Sequence, residues 1–244
     1  MRERNAGVVL MTSPALKRIS SGIQSFDAVT LGGIPENTIT MVYGPPKAGK
    51  SVFAYHFIAE SIKLHEACII VTSDYGADEL ARAMSSFNWS IQDALTGGQI
   101  HLIIMTPVRA TANDISVKTV SLANPTELMI ALGEILKTFA EQKTRFRAIW
   151  DSLTPLFIYN PPLLVAKVLR EYGARMKKAG AVGILVTLVQ GSIDPQSETI
   201  VKASVDNLVN LHPEGKLVVE GMQGTPKVTV SYSVTNSGLE VQKA

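Results

Sequence analysis

Gly44-Pro45-Pro46-Lys47-Ala48-Gly49-Lys50-Ser51 matches the phosphate-loop pattern G-x-x-x-x-G-K-[ST] at every fixed position. The residues before it, Ile39-Thr40-Met41-Val42-Tyr43, are short, apolar and β-branched, as in a buried strand. Val52 to Glu60, which follow, carry apolar residues at helical spacing. Strand, glycine loop and helix together give the motif a physical meaning. Gly44 and Gly49 permit backbone angles closed to residues with a Cβ, so successive N–H groups can line one concavity. The helix beginning near Gly49 adds its free N-terminal N–H groups and the positive end of its dipole. Residues 44–52, from Gly44 through Val52, are therefore the expected cradle for a nucleotide phosphate. Lys50 is expected to reach the β- and γ-phosphates, and the Ser51 hydroxyl to ligate Mg²⁺.

The 244 residues suit one large α/β domain, and 46% hydrophobic content is enough for a sizeable core. A formal net charge of +2 argues against a strongly basic nucleic-acid surface. Cys68, the only cysteine, lies in an apolar run and reads as a buried small hydrophobe. No disulfide can form within one chain, and no run reaches the length of a membrane span, so a cytoplasmic protein is expected. Residues 1–14 read as a flexible leader, and 15–244 as a single domain.

Within that domain, Ile23, Phe26 and Val29 suit a short helix capped by Ser21 or Gly22 and stopped by Gly32-Gly33. Strands are expected at Ala67–Thr72, Ile100–Met105, Phe146–Asp151 and Gly183–Val189. Helices are expected from Ala77, from Pro125 and from Leu163 to about Lys178. Thr106–Asn124 and Gly191–Glu198 read as loops. Three late runs, at 208–211, 216–220 and 228–234, read as strands of an antiparallel meander. The expected architecture is α/β: a mainly parallel sheet with helices on both faces and a C-terminal antiparallel hairpin extension.

A phosphate loop needs a carboxylate for its Mg²⁺ shell, ending a hydrophobic strand beside the loop's own strand. Asp151, at the end of Phe146-Arg147-Ala148-Ile149-Trp150-Asp151, fits, with simple turn capping as the competing reading. Hydrolysis also needs a group to orient or deprotonate water. Asp74, at the tip of the strand after the loop helix, is the candidate base, with capping of the next helix as its competitor. Gln190 is placed to sense a γ-phosphate on the strength of its position alone. The four histidines have no metal-ligand spacing. Tyr43 and Trp150 read as core aromatics.

The stretch from Arg18 to Ser51, with its Gly22-Ile23 … Phe26-Asp27 … Gly32-Gly33-Ile34-Pro35 lead-in to the phosphate loop, resembles the KaiC-like and RadA-related branch of RecA-fold P-loop ATPases. Trp150-Asp151-Ser152-Leu153 is similar to that family's Walker-B strand, and Asp206-Asn207-Leu208-Val209-Asn210-Leu211 to its C-terminal strands. The likeness covers nearly the whole chain, as one KaiC domain. It implies ATP and Mg²⁺ as ligands and a homo-oligomer, a hexameric ring or filament, with ATP between subunits. It supports Lys50, Ser51 and Asp151 as phosphate and metal residues. Three departures stand out. Asp74-Tyr75 occupies the place of a glutamate pair. Gly221-Met222-Gln223-Gly224 lacks the Lys-x-Arg that reaches a neighbour's ATP. Pro45-Pro46-Lys47 replaces small residues and removes two N–H donors, which Lys47 either offsets electrostatically or leaves to solvent.

Losing the trans cations and shortening the base should spare binding and depress turnover. The reading that follows is a Mg·ATP-binding protein and weak ATPase, yielding ADP and phosphate, whose nucleotide state governs assembly or a protein partner. A DNA-binding recombinase paralogue ranks second, because Thr154–Asn160 and Gly191–Glu198 contain neither Lys nor Arg. Phe157 and Tyr159 suit base stacking or a subunit interface equally. A KaiC-like autokinase is the third reading.

Overall fold

A computed structural model describes residues 16–107 and 117–242. The chain enters through β1 (Arg18–Ile19), α1 (Gln24–Val29) and β2 (Ile34–Pro35), where β1 and β2 pair as a small antiparallel ribbon. The phosphate-loop unit is β3 (Ile39–Gly44) and α2 (Lys50–Lys63), followed by β4 (Ala67–Thr72), α3 (Ala77–Ser85), α4 (Gln92–Thr96) and β5 (Ile100–Thr106). Next come β6 (Val117–Ser121), α5 (Pro125–Gln142), β7 (Phe146–Asp151), α6 (Leu156–Tyr159), α7 (Pro162–Lys178) and β8 (Ala181–Val189). The chain closes with α8 (Pro195–Lys202), β9 (Asn207–His212), β10 (Lys216–Gly221), β11 (Val228–Thr235) and β12 (Gly238–Gln242).

One ten-stranded sheet runs in the order β12-β11-β10-β9-β3-β8-β7-β4-β5-β6. Pairings from β6 to β9 are parallel, and those from β9 to β12 are antiparallel. The central strands β3, β4 and β7 are buried at every position, which is why their sequences read as continuous apolar runs rather than alternating ones. Their residues still divide by period two. Met41, Ile69, Val71 and Ala148 pack beneath α5 and α7, while Val42, Cys68, Ile70 and Ile149 pack beneath α1, α2, α3 and α4. Helices thus cover both faces. Each fully buried Phe or Leu in these two cores contributes about 1.5–3 kcal/mol relative to exposure. This is a RecA-like α/β architecture with an antiparallel C-terminal extension.

The structure departs from the sequence reading at several points. Thr106–Asn124 is not loop throughout: Val117–Ser121 forms the edge strand β6, paired in parallel with β5, and 108–116 lies outside the described residues. Polar residues are tolerated there because an edge strand faces neighbours on one side only. Gly191–Glu198 contains the start of α8, whose N-cap Asp194 accepts the Ser197 N–H at 3.0 Å, with Pro195 in the first turn. That Asp-Pro pair was the available signal. Neither Ser21 nor Gly22 caps α1. Ser21 and Ser20 instead donate to the Asp27 carboxylate, at 2.6 and 2.7 Å. The strand β12 was missed because its alternation is short and polar. Residues 1–14 lie outside the described residues. Among those described, no helix is long and apolar enough to cross a membrane.

His56, on the phosphate-loop helix, ties three parts of the chain together. Its Nδ1 lies 3.1 Å from the Gly22 carbonyl, and its Nε2 accepts the Leu239 N–H at 2.8 Å. The ring packs against Trp89 at 4.5 Å. Nε2 can accept only while unprotonated, and burial pushes the imidazole down to about 4. A folded-state pKa below the unfolded value near 6.5 means that the unfolded chain binds the extra proton first. The contribution is therefore whole above pH 6.5 and is lost as pH falls towards 4, by about 3 kcal/mol. Urea unfolding at pH 7 and pH 4.5 should show this loss in the native protein and a smaller one in His56→Gln. An equal loss in both would contradict the role of His56.

Candidate functional site

The carboxyl ends of β3, β8, β7 and β4 meet on one edge of the sheet, where open α/β sheets place their ligand crevice. The phosphate loop leaves β3 there. Gly44 abuts β9 so closely that a Cβ on it would sit 2.2 Å from the Leu211 carbonyl oxygen. Gly49 has φ +93° and forms the N-cap of α2, a conformation costly for any residue with a Cβ. The interior of the loop is fixed by its own contacts. Pro45 offers its carbonyl to the Lys50 ammonium at 2.7 Å, and Tyr232 Oη of β11 donates to the Ala48 carbonyl at 2.8 Å. Lys47 takes φ +62° and is exposed, as is Pro46. Lys50 itself is buried, and desolvation lowers its pKa against the opposing pull of Asp151.

Asp151 ends β7 with its carboxylate buried. Thr187 of β8 donates to Oδ1 at 2.5 Å, and the Tyr75 hydroxyl lies 3.3 Å from Oδ2. Ser51, the first residue of α2 after Lys50, lies close enough to this carboxylate to favour its charged form. Desolvation raises the Asp151 pKa, and the nearby hydroxyls of Thr187, Ser51 and Tyr75 oppose it. The expectation that Asp151's strand lies beside the phosphate-loop strand is corrected, because β8 stands between β3 and β7. Asp151 meets Ser51 because α2 packs over all of these strands from above. The turn-capping alternative for Asp151 does not describe its contacts.

Asp74 follows β4, whose Thr72 is paired with Asp151 across the ladder. Ser152, the residue after Asp151, lies near the Asp74 carboxylate and favours its charged form. Partial desolvation raises the Asp74 pKa overall. Asp74 does not cap α3: the N-cap there is Gly76, whose N–H is accepted by Glu79 at 2.9 Å. Gln190 has an exposed side chain, and its N–H donates to the Gly44 carbonyl at 2.9 Å, which puts it at the mouth of the loop. The structure thus gathers Lys50, Ser51, Asp74 and Asp151 at one edge. Sequence reasoning missed Tyr75, Ser152 and Thr187 as their partners. The first two are chain neighbours of the acids already singled out. Thr187 has no such signal, since its place depends on β8 lying next to β7.

The chemistry of the donor set suits a magnesium-bound nucleotide. A hydroxyl and a carboxylate, both hard oxygen donors, converge beside a glycine-lined loop with a buried cation. Among the described residues there is no cluster of three or more His, Cys, Asp or Glu that could hold a metal ion. The turn at Gly221–Gly224 is held to its own chain. Arg18 donates to the Gln223 carbonyl at 2.8 Å and to Thr225 Oγ1 at 2.9 Å.

The family model described as "ATPase: KaiC" matches residues 19–243. A UPF0273 protein of Methanopyrus kandleri is 25% identical over 93% of this chain and 92% of its own length. Another, of Thermotoga maritima, is 23% identical over 86% of this chain and 88% of that protein. The circadian clock oscillator protein KaiC of Parathermosynechococcus lividus is 26% identical over 91% of this chain. The chain spans only 41% of that protein's length, but nearly all of each UPF0273 protein.

Proposed function

Because the chain belongs to the KaiC family of ATPases, a P-loop nucleotide-binding family with a RecA-like fold, we propose that it holds Mg·ATP at residues 44–52 and hydrolyses it slowly. The observation that carries this is the convergence of Lys50, Ser51 and Asp151 on one loop and helix N-terminus. Lys50 exchanges the Pro45 carbonyl for the β- and γ-phosphates. The backbone of residues 47–51 receives phosphate oxygens, and Ser51 and Asp151 would hold the ion. Magnesium supplies charge neutralisation on the phosphate oxygens when bound.

Slow turnover is supported by three features. Asp74 is the shorter acid, and it reaches about one methylene less far than a glutamate would. The next position is Tyr75 rather than a second acid. The turn at 221–224 carries no cation of its own and is tied down by Arg18. A nucleotide that is bound tightly and cleaved slowly suits control of self-assembly, or of a protein partner, in the cytoplasm. DNA binding ranks below this, since residues 191–198 include two acids and no cation, and α8 begins within them.

The test of the base is Asp74→Asn. ATP turnover should fall by about 10²-fold while the ATP dissociation constant changes little. An unchanged rate would mean that the attacking water is oriented elsewhere.

A further inference from the structure

Tyr75 stands in the loop between β4 and α3, next to the candidate base, and its hydroxyl meets the metal carboxylate rather than the crevice mouth. Oδ1 of Asp151 is satisfied from β8 by Thr187, and Oδ2 is met from the β4 side by Tyr75 at 3.3 Å. A carboxylate in its charged form accepts only, so hydroxyl protons from the strand β8 and from the loop after β4 fix the plane in which it lies. The Tyr75 ring is held in turn. It meets Tyr55 edge-on, at 6.5 Å between centroids and 67° between planes. Tyr55 is buried on α2, one helical turn beyond Ser51, and packs against Phe87 at 6.4 Å. The hydroxyl on Asp151 is therefore anchored to the helix that carries the other expected metal ligand.

We propose that Tyr75 is a positioning residue for Asp151, setting the carboxylate before Mg·nucleotide arrives and thereby lowering the Mg²⁺ concentration the site requires. As a neutral donor it also leaves Asp74 and Asp151 as the two carboxylates at this edge, where an acid at position 75 would add a third. This deepens the reading above and rests on Asp151 being the metal carboxylate. Residues that orient a ligand from behind typically change metal affinity by about 10–100-fold when removed.

The experiment uses the full chain and a fluorescent ADP analogue, titrated with Mg²⁺ at fixed nucleotide and again in EDTA. Tyr75→Phe keeps the ring against Tyr55 and removes only the hydroxyl. It should need about tenfold more Mg²⁺ for half-maximal effect, with affinity in EDTA within about twofold of the native protein. Its melting temperature, read in parallel, should stay close to native. Three results would overturn the proposal: an unchanged Mg²⁺ requirement, a lowered one, which would mean that the phenol competes with the ion, or an equal loss in EDTA. If the native protein binds no nucleotide under either condition, the nucleotide reading falls and Tyr75's role falls with it. If native binding depends on Mg²⁺ and Tyr75→Phe matches it, only the role of Tyr75 falls.

Discussion

Lys50→Ala should weaken ATP binding by about 100-fold or more while leaving the fold intact. Lys50 is buried at the first turn of α2. In the described structure its ammonium donates to the Pro45 carbonyl, inside the same loop. That contact is local, so removing it costs the fold little. A bound triphosphate would place several negative oxygens where the carbonyl now stands, and a charged hydrogen bond of that kind is worth about 1.5–3 kcal/mol. Pro45 and Pro46 supply no N–H, so the loop relies more on this one cation than a loop of small residues would. Isothermal titration with ATP and Mg²⁺, beside a thermal melt, separates the two effects. A loss of less than about threefold in affinity would remove Lys50 from the phosphate site.

Arg147→Met should destabilise the protein by about 3–5 kcal/mol without changing nucleotide affinity. Arg147 lies near the start of β7, at the opposite edge of the sheet from the phosphate loop, and is 1% exposed. Its Nε donates to Glu66 at 2.7 Å, and its Nη1 to the Ser20 carbonyl at 2.6 Å. The guanidinium also sits 4.6 Å above the Phe57 ring. Methionine would fill the space but leave the buried Glu66 with Arg145 alone, whose side chain is 56% exposed and a weaker partner. The Ser20 carbonyl, which helps hold the lead-in segment, would lose its donor as well. The penalty comes from the stranded carboxylate rather than from lost attraction, so adding Glu66→Gln should recover part of it. Urea unfolding of the single and double variants measures this. A cost below about 1 kcal/mol for the single change would contradict it.

The parts of the site that were legible in the sequence share one property: they lie within a few residues of one another along the chain. The phosphate loop carries its strand, glycines, cation and helix in one stretch, and residues 39–60 fold accordingly. Asp151 could be singled out because it closes an apolar strand in a chain that already carries a phosphate loop, although turn capping competes with that reading. What the chain could not reveal was strand order. The insertion of β8 between β3 and β7 puts Thr187 against Asp151, and no spacing in the sequence encodes that adjacency. The same holds for His56, whose partners Gly22 and Leu239 lie 34 and 183 residues away. The edge strand β6 and helix α8 read as loop in the sequence because their residues are locally polar. β6 faces one neighbour only, and α8 is started by an Asp-Pro cap rather than by an apolar stripe.

A site able to hold Mg·ATP but poorly equipped to cleave it makes a demand on one measurement, the ATP dissociation constant and the steady-state turnover of the same purified protein. Micromolar or tighter Mg²⁺-dependent binding should accompany turnover below about 10⁻² s⁻¹, the range of P-loop enzymes that lack a trans cation. Turnover at about 1 s⁻¹ or faster, ordinary for an enzyme, would contradict it and make the protein an efficient ATPase.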